Sequence, residues 1–191
     1  RELFRGKVFK PLREAAQRGA VAGRAVSRQD ISLVLLQRPP GAVAEGQFLA
    51  SCTRCGDCVT ACPPRAIRWA PPEAGEKRAG TPFIDPIRQP CVMCTDTPCI
   101  TVCEPGVLRF ELPRTMARAS VDKLACLAWR GQPCRLCVDQ CPMDGAIELD
   151  EANRPAINSE ACTGCGVCVQ VCPAPRNAIN HRPLSNRPFW R

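Results

Sequence analysis

Apolar residues in this chain come in short pairs, not in long periodic runs. Four pairs recur at similar spacing: Ala66-Ile67, Val107-Leu108, Ala146-Ile147 and Ala178-Ile179. Upstream of three of them, an apolar residue is followed by Asp or Asn, as Ile84-Asp85, Val121-Asp122 and Ile157-Asn158. This internal repeat predicts short antiparallel strands from lead-in and trailing pair, with single helical turns through segments such as 58–62 and 168–172. Ahead of the repeat, Leu12, Ala15, Ala16, Ala20 and Val21 fit one face of a short helix, weakened by Gly19 and Gly23. Residues 31–36 fit a strand or a helix, and Arg38-Pro39-Pro40-Gly41 ends either one. Residues 70–80 read as an exposed loop, and 111–120 as a linker between two modules. The pattern divides the chain into a basic extension (1–46), module one (47–112), module two (113–182) and a proline-containing tail (183–191), within an α+β class.

Such short elements bury little. The 191 residues include 20 prolines and only 5% aromatics, but 16 cysteines. Domains short of core need covalent or metal staples. The cysteines fall in fours between each lead-in and its trailing pair. Cys52, Cys55, Cys58 and Cys62-Pro63 follow the spacing C-x2-C-x2-C-x3-C-P, as do Cys162, Cys165, Cys168 and Cys172-Pro173. That spacing places three thiolates on one tight loop, able to cap three irons of a cubane [4Fe–4S] cluster. The fourth cysteine points away, toward a neighbouring cluster. Two looser versions lie between. Cys91, Cys94, Cys99 and Cys103 have a second spacing two residues longer, with Glu104 before Pro105. Cys126 is displaced from Cys134, Cys137 and Cys141-Pro142 by residues 127–133, which carry Trp129. Disulfides suit long loops better than such triplets, and zinc favours two separated pairs. His181, the single histidine, reads as a surface residue of a polar tail.

Charge narrows the partners. The chain is formally +8. Residues 1–40 carry nine Lys/Arg and three acids, and the remaining 151 carry 17 and 15. Sixteen thiolates against four oxidised cubane cores of about +2 each add about −8, leaving an acidic body behind a basic arm. The arm fits a docking element for a partner or an anionic membrane surface, or a solvated extension. No aromatic or motif signal accompanies it, which excludes nucleic acid. No apolar run approaches a membrane span. No nucleophile–base constellation or Gly-rich phosphate loop points to substrate chemistry.

Several stretches resemble the ferredoxin-type accessory proteins of the NapF, NapG and MauM group. They are Arg38-Pro39-Pro40-Gly41-Ala42 ahead of Phe48-Leu49 and Cys52-Thr53-Arg54-Cys55-Gly56-Asp57-Cys58, then Gly80-Thr81-Pro82. Further on come Cys126-Leu127-Ala128-Trp129 with Gly131 before Cys134-Arg135-Leu136-Cys137, and Ala161-Cys162-Thr163-Gly164-Cys165-Gly166. The resemblance spans residues 38–182. It implies four [4Fe–4S] clusters and electron transfer, or maturation, around a redox enzyme with its own electron donor.

The expected architecture is two tandem two-cluster ferredoxin-like modules with crossed last cysteines. One cluster takes Cys52, Cys55, Cys58 and Cys103, and its neighbour takes Cys91, Cys94, Cys99 and Cys62. The second module pairs Cys126, Cys134, Cys137 and Cys172 with Cys162, Cys165, Cys168 and Cys141. A nested pairing, motif one with four and two with three, is the alternative. A zinc-stapled interaction module is the reading from another class. Reduced cysteine points to the cytoplasm, at the membrane surface or away from it. A leader upstream of Arg1 would instead place the chain in the periplasm.

Overall fold

A computed structural model describes residues 35–189. The helix expected over 12–21, most of the 31–36 segment and the basic extension up to residue 34 lie outside the described residues.

Proline and glycine keep the elements short. After α1 (Glu45–Ser51), four single-turn helices follow: α2 (Asp57–Thr60), α3 (Pro98–Thr101), α4 (Leu136–Asp139) and α5 (Val167–Gln170). Each carries the third cysteine of its motif. Gly56 and Gly166 precede α2 and α5 with left-handed φ of 92° and 93°, turning the cysteine loop sharply into the helix.

Three two-stranded antiparallel ribbons flank these turns. β1 (Ile67–Trp69) pairs with β2 (Pro82–Ile84), placing Ile67 opposite Ile84. β4 (Ile147–Leu149) pairs with β5 (Pro155–Ile157), and Ile147 faces Ile157. β3 (Ala117–Val121) pairs with β6 (Ile179–Pro183), and Val121 faces Ile179. The fourth equivalent pairing is an isolated bridge between Ala42 and Leu108. There Val43 N–H donates to Val107 O at 3.0 Å and Arg109 N–H to Gly41 O at 2.8 Å. In every case the lead-in of one motif pairs with the trailing pair of the other motif in its module. The ribbons therefore stitch two cysteine loops together, and none closes on a single loop.

The apolar residues of the ribbons meet in small cores. Phe48, Ile84, Val107, Leu108 and Met116 are almost wholly buried in one cluster that also takes in Cys165 and Val167. The segment read as a linker departs from that expectation: Leu112 and Met116 are 7% and 0% exposed, and β3 begins at Ala117. Chain passing between the two halves buries its apolar side chains in the seam. The 70–80 loop folds over a 3-10 turn at Pro72–Ala74, with Ala70 and Ala74 packed under Leu36. The tail docks on its own chain, where Pro188 O accepts from Ala44 N–H at 2.9 Å.

Candidate metal centres

The cysteine loops and their helical turns bring the sixteen thiols together in fours around four cavities. Cavity I is lined by Cys52, Cys55, Cys58 and Cys103. Cavity II is lined by Cys62, Cys91, Cys94 and Cys99. Cys126, Cys134, Cys137 and Cys172 line cavity III, and Cys141, Cys162, Cys165 and Cys168 line cavity IV. In each, three thiols come from one motif and the fourth from the end of its partner motif. All sixteen are free thiols.

Apolar side chains close the walls. Ala66, Ile67 and Ile84 line II, Val107 and Leu108 line I, Ala178 and Ile179 line III, and Ala146 and Ile147 line IV. Burial pushes the thiols of Cys58, Cys91 and Cys168 up to about 12, and neighbouring cysteines add to the effect. Cys99 and Cys137 rise to about 11, again chiefly by burial. Four thiols forced together out of water disfavour the thiolate form unless a cation compensates. Iron–sulfur cores supply that positive charge, so this donor set suits them. A single tetrahedral zinc fits less well. With Zn–S of ~2.3 Å its sulfurs would crowd within ~4 Å of one another. Among the described residues no group of three or more His, Cys, Asp or Glu closes on one ion position.

Backbone amides point at sulfur in a repeated way. Ala66 N–H donates to Cys62 Sγ at 3.3 Å, Leu108 N–H to Cys103 Sγ at 3.4 Å, and Ala178 N–H to Cys172 Sγ at 3.4 Å. The donor in each case belongs to the apolar pair after the motif, so the pair shields the cavity and polarises its crossing ligand. The sequence signal was the short offset, four to six residues, from last cysteine to apolar pair.

Two residues stand differently from their sequence reading. His181 lies half-buried on β6, its Nε2 3.0 Å from Gly164 O in the cavity IV loop. Burial lowers its pKa, partly offset by that carbonyl, so it is neutral near pH 7. Trp129, in the insertion after Cys126, is held between Lys123 and Arg154 at 4.1 and 4.2 Å from its rings, and its indole N–H donates to Pro155 O at 3.1 Å. The insertion walls an open cleft of about 650 Å³ that reaches Cys134.

Residues 51–128 and 132–175 each match the 4Fe-4S dicluster domain. Two such domains with sixteen cysteines fit four [4Fe–4S] clusters. Over 164 residues the chain is 40% identical to the ferredoxin-type protein NapG of Escherichia coli, covering 78% of this chain and 71% of NapG. It is 40% identical over 160 residues to the methylamine utilization ferredoxin-type protein MauM of Methylorubrum extorquens, covering 76% and 72%. With the ferredoxin-type protein NapF of Haemophilus influenzae it shares 33% identity over 158 residues, covering 77% and 79%. Among the described residues no helix is long and apolar enough to cross a membrane. The chain belongs to the ferredoxin-type family of NapG, NapF and MauM, and is an iron–sulfur electron-transfer protein built on tandem 4Fe-4S dicluster domains.

Proposed function

We propose that the chain relays single electrons through four [4Fe–4S] clusters between a donor and a redox-enzyme partner. The ligand sets of this reading are those lining cavities I to IV, with Cys103, Cys62, Cys172 and Cys141 as the crossing ligands. The observation that carries it is the grouping of sixteen thiols, four to a cavity, in apolar walls. Each cluster, when bound, takes up and returns one electron. The protein does the rest. Thiolates fix each centre, the trailing pairs keep water off, and the N–H···S bonds from Ala66, Leu108 and Ala178 draw charge from sulfur and favour the reduced state.

In this reading the body is an α+β pair of modules, 47–112 and 113–182, with an extension at 1–46 and a tail at 183–191. The extension, with net charge +6 over residues 1–40, supplies attraction to an acidic partner or an anionic membrane surface. A reducing compartment, the cytoplasm, keeps sixteen thiols available for clusters.

Iron, zinc and acid-labile sulfide per chain test the reading on protein purified without oxygen. About sixteen irons with matching sulfide are expected. Near-zero iron with about four zincs would replace it by a zinc-stapled interaction module.

A further inference from the structure

We infer that the four thiol sets form one linear series in the order I, II, IV, III, joined across the modules where Cys91 of set II meets Cys165 of set IV. This deepens the four-cluster reading and rests on it.

Three contacts set the order. In module one, Cys58 of set I and Cys99 of set II pack in the same buried cluster, on the neighbouring turns α2 and α3. In module two, Cys137 of set III packs against the buried cluster that holds Cys168 of set IV, on the neighbouring turns α4 and α5. Across the seam, Cys91 N–H donates to Cys165 O at 3.2 Å. One ligand of each central set is thus joined by a single hydrogen bond between their backbones.

The seam is packed to hold that approach. A Cβ on Gly166 would lie 2.3 Å from Pro86 Cβ, so only glycine lets the cavity IV loop sit this close to module one. Gln170 Nε2 donates to Arg88 O at 3.1 Å beside it. Cys165 and Val167 pack in the core cluster of module one. Set III sits elsewhere: Cys126, Cys134 and Cys172 pack in a cluster drawn wholly from module two.

The order in space therefore differs from the order of motifs along the chain. Tunnelling falls steeply with distance, so an electron crossing between modules passes from II to IV, and III is a terminus. Each hop oxidises one centre by one electron and reduces its neighbour by one. No bond or proton moves, and the external donor supplies the electron. Cys55 of set I is exposed, and Cys134 of set III lines the open cleft.

Magnetic coupling between reduced centres tests this on the anaerobic holoprotein reduced with dithionite. Cys126→Ala with Cys134→Ala empties set III, and Cys162→Ala with Cys168→Ala empties set IV. Iron should fall in each from about sixteen to about twelve. The expected result is that the set III variant keeps the inter-module coupling of centre II in its electron paramagnetic resonance spectrum. The set IV variant loses it. The reverse pattern, coupling kept without IV and lost without III, overturns the order.

Should a double variant not assemble, Cys134→Ser and Cys162→Ser retain their centres at lowered potential. Holding centre IV oxidised should then sharpen the signal of II, and holding III oxidised should not. Sharpening of II by III alone again overturns the order. Wild-type protein with far fewer than sixteen irons would remove the four-cluster reading itself, before any coupling is measured.

Discussion

Arg38 is fully buried, and Glu45 is its main partner. Its Nε and Nη2 donate to the two carboxylate oxygens at 2.9 and 2.6 Å, while Nη1 donates to Thr81 Oγ1 and Pro82 O, both at 2.8 Å. The guanidinium also lies 4.5 Å over the Phe48 ring. One side chain thus ties the entry segment to α1 and β2. Burial works to raise the Glu45 pKa, but the bonds and charge of Arg38, with Arg187 and Arg78, outweigh it and hold the carboxyl below its ordinary value. The contribution of the pair is therefore complete above the ordinary carboxylate range and is lost as pH falls through the lowered pKa. Arg38→Leu should cost about 3–5 kcal/mol, because it leaves the partner carboxylate short of its main counter-charge. Denaturant unfolding of the anaerobic holoprotein at pH 7 measures this. The double change with Glu45→Gln should cost less than the two single losses added, and strict additivity would show that the two side chains do not act as a pair. Nothing in the sequence marked this clamp. Arg-Pro-Pro-Gly announces a break in the chain, and the charge that completes the site lies in a helix seven residues on.

Loop glycines separate positions where space decides from those where conformation alone does. Gly164 has φ of +66°, and a Cβ there would stand 2.2 Å from Ala117 O, a backbone atom of β3. Gly131 has φ of +80° with nothing within 4 Å of a Cβ. Gly164→Ala must therefore push the cavity IV loop off the β3–β6 ribbon, and iron should drop from about sixteen to about twelve per chain. Gly131→Ala should cost about 1–2 kcal/mol for the left-handed backbone and leave iron unchanged. Equal iron in both variants would mean that the loop moves without losing its centre. The repeat of cysteine loop, helical turn and apolar pair was legible because each unit is local, set by spacings of a few residues. Strand partners were not. Ile67 pairs with Ile84, and Val121 with Ile179, across different motifs, so register depends on how two loops pack. The 111–120 segment misled for a similar reason. Leu112 and Met116 are isolated apolar residues among polar ones and prolines, with no period to show that a seam would bury them.

The two halves and the tail form a molecule in which sequence order and spatial order part company. Leu184 N–H donates to Met116 O at 3.0 Å as the chain leaves β6. Beyond it, Pro188 O accepts from Ala44 N–H, and Arg187 reaches both Glu45, at 3.7 Å, and Leu36 O, at 3.5 Å. Residues that follow module two thus complete the wall of module one. Burial pulls the Arg187 guanidinium down to about 10, with Glu45 working against the fall, so it keeps its charge at neutral pH. Ending the chain before Arg187 removes one of the counter-charges of Glu45 and the acceptor of Ala44 together. Native-state hydrogen exchange of the holoprotein should then quicken at Ala44 and through α1, while β4 and β5 keep wild-type protection, because local opening follows the contacts removed. Exchange that quickens only near β6 would instead confine the tail's effect to the module it follows in sequence. The distinction matters for the relay. Set I sits against α1 through Cys52, whose N–H donates to Phe48 O at 2.9 Å. Loss of the tail should therefore loosen set I, the end of the series opposite set III, and spare set III, whose thiols pack within module two.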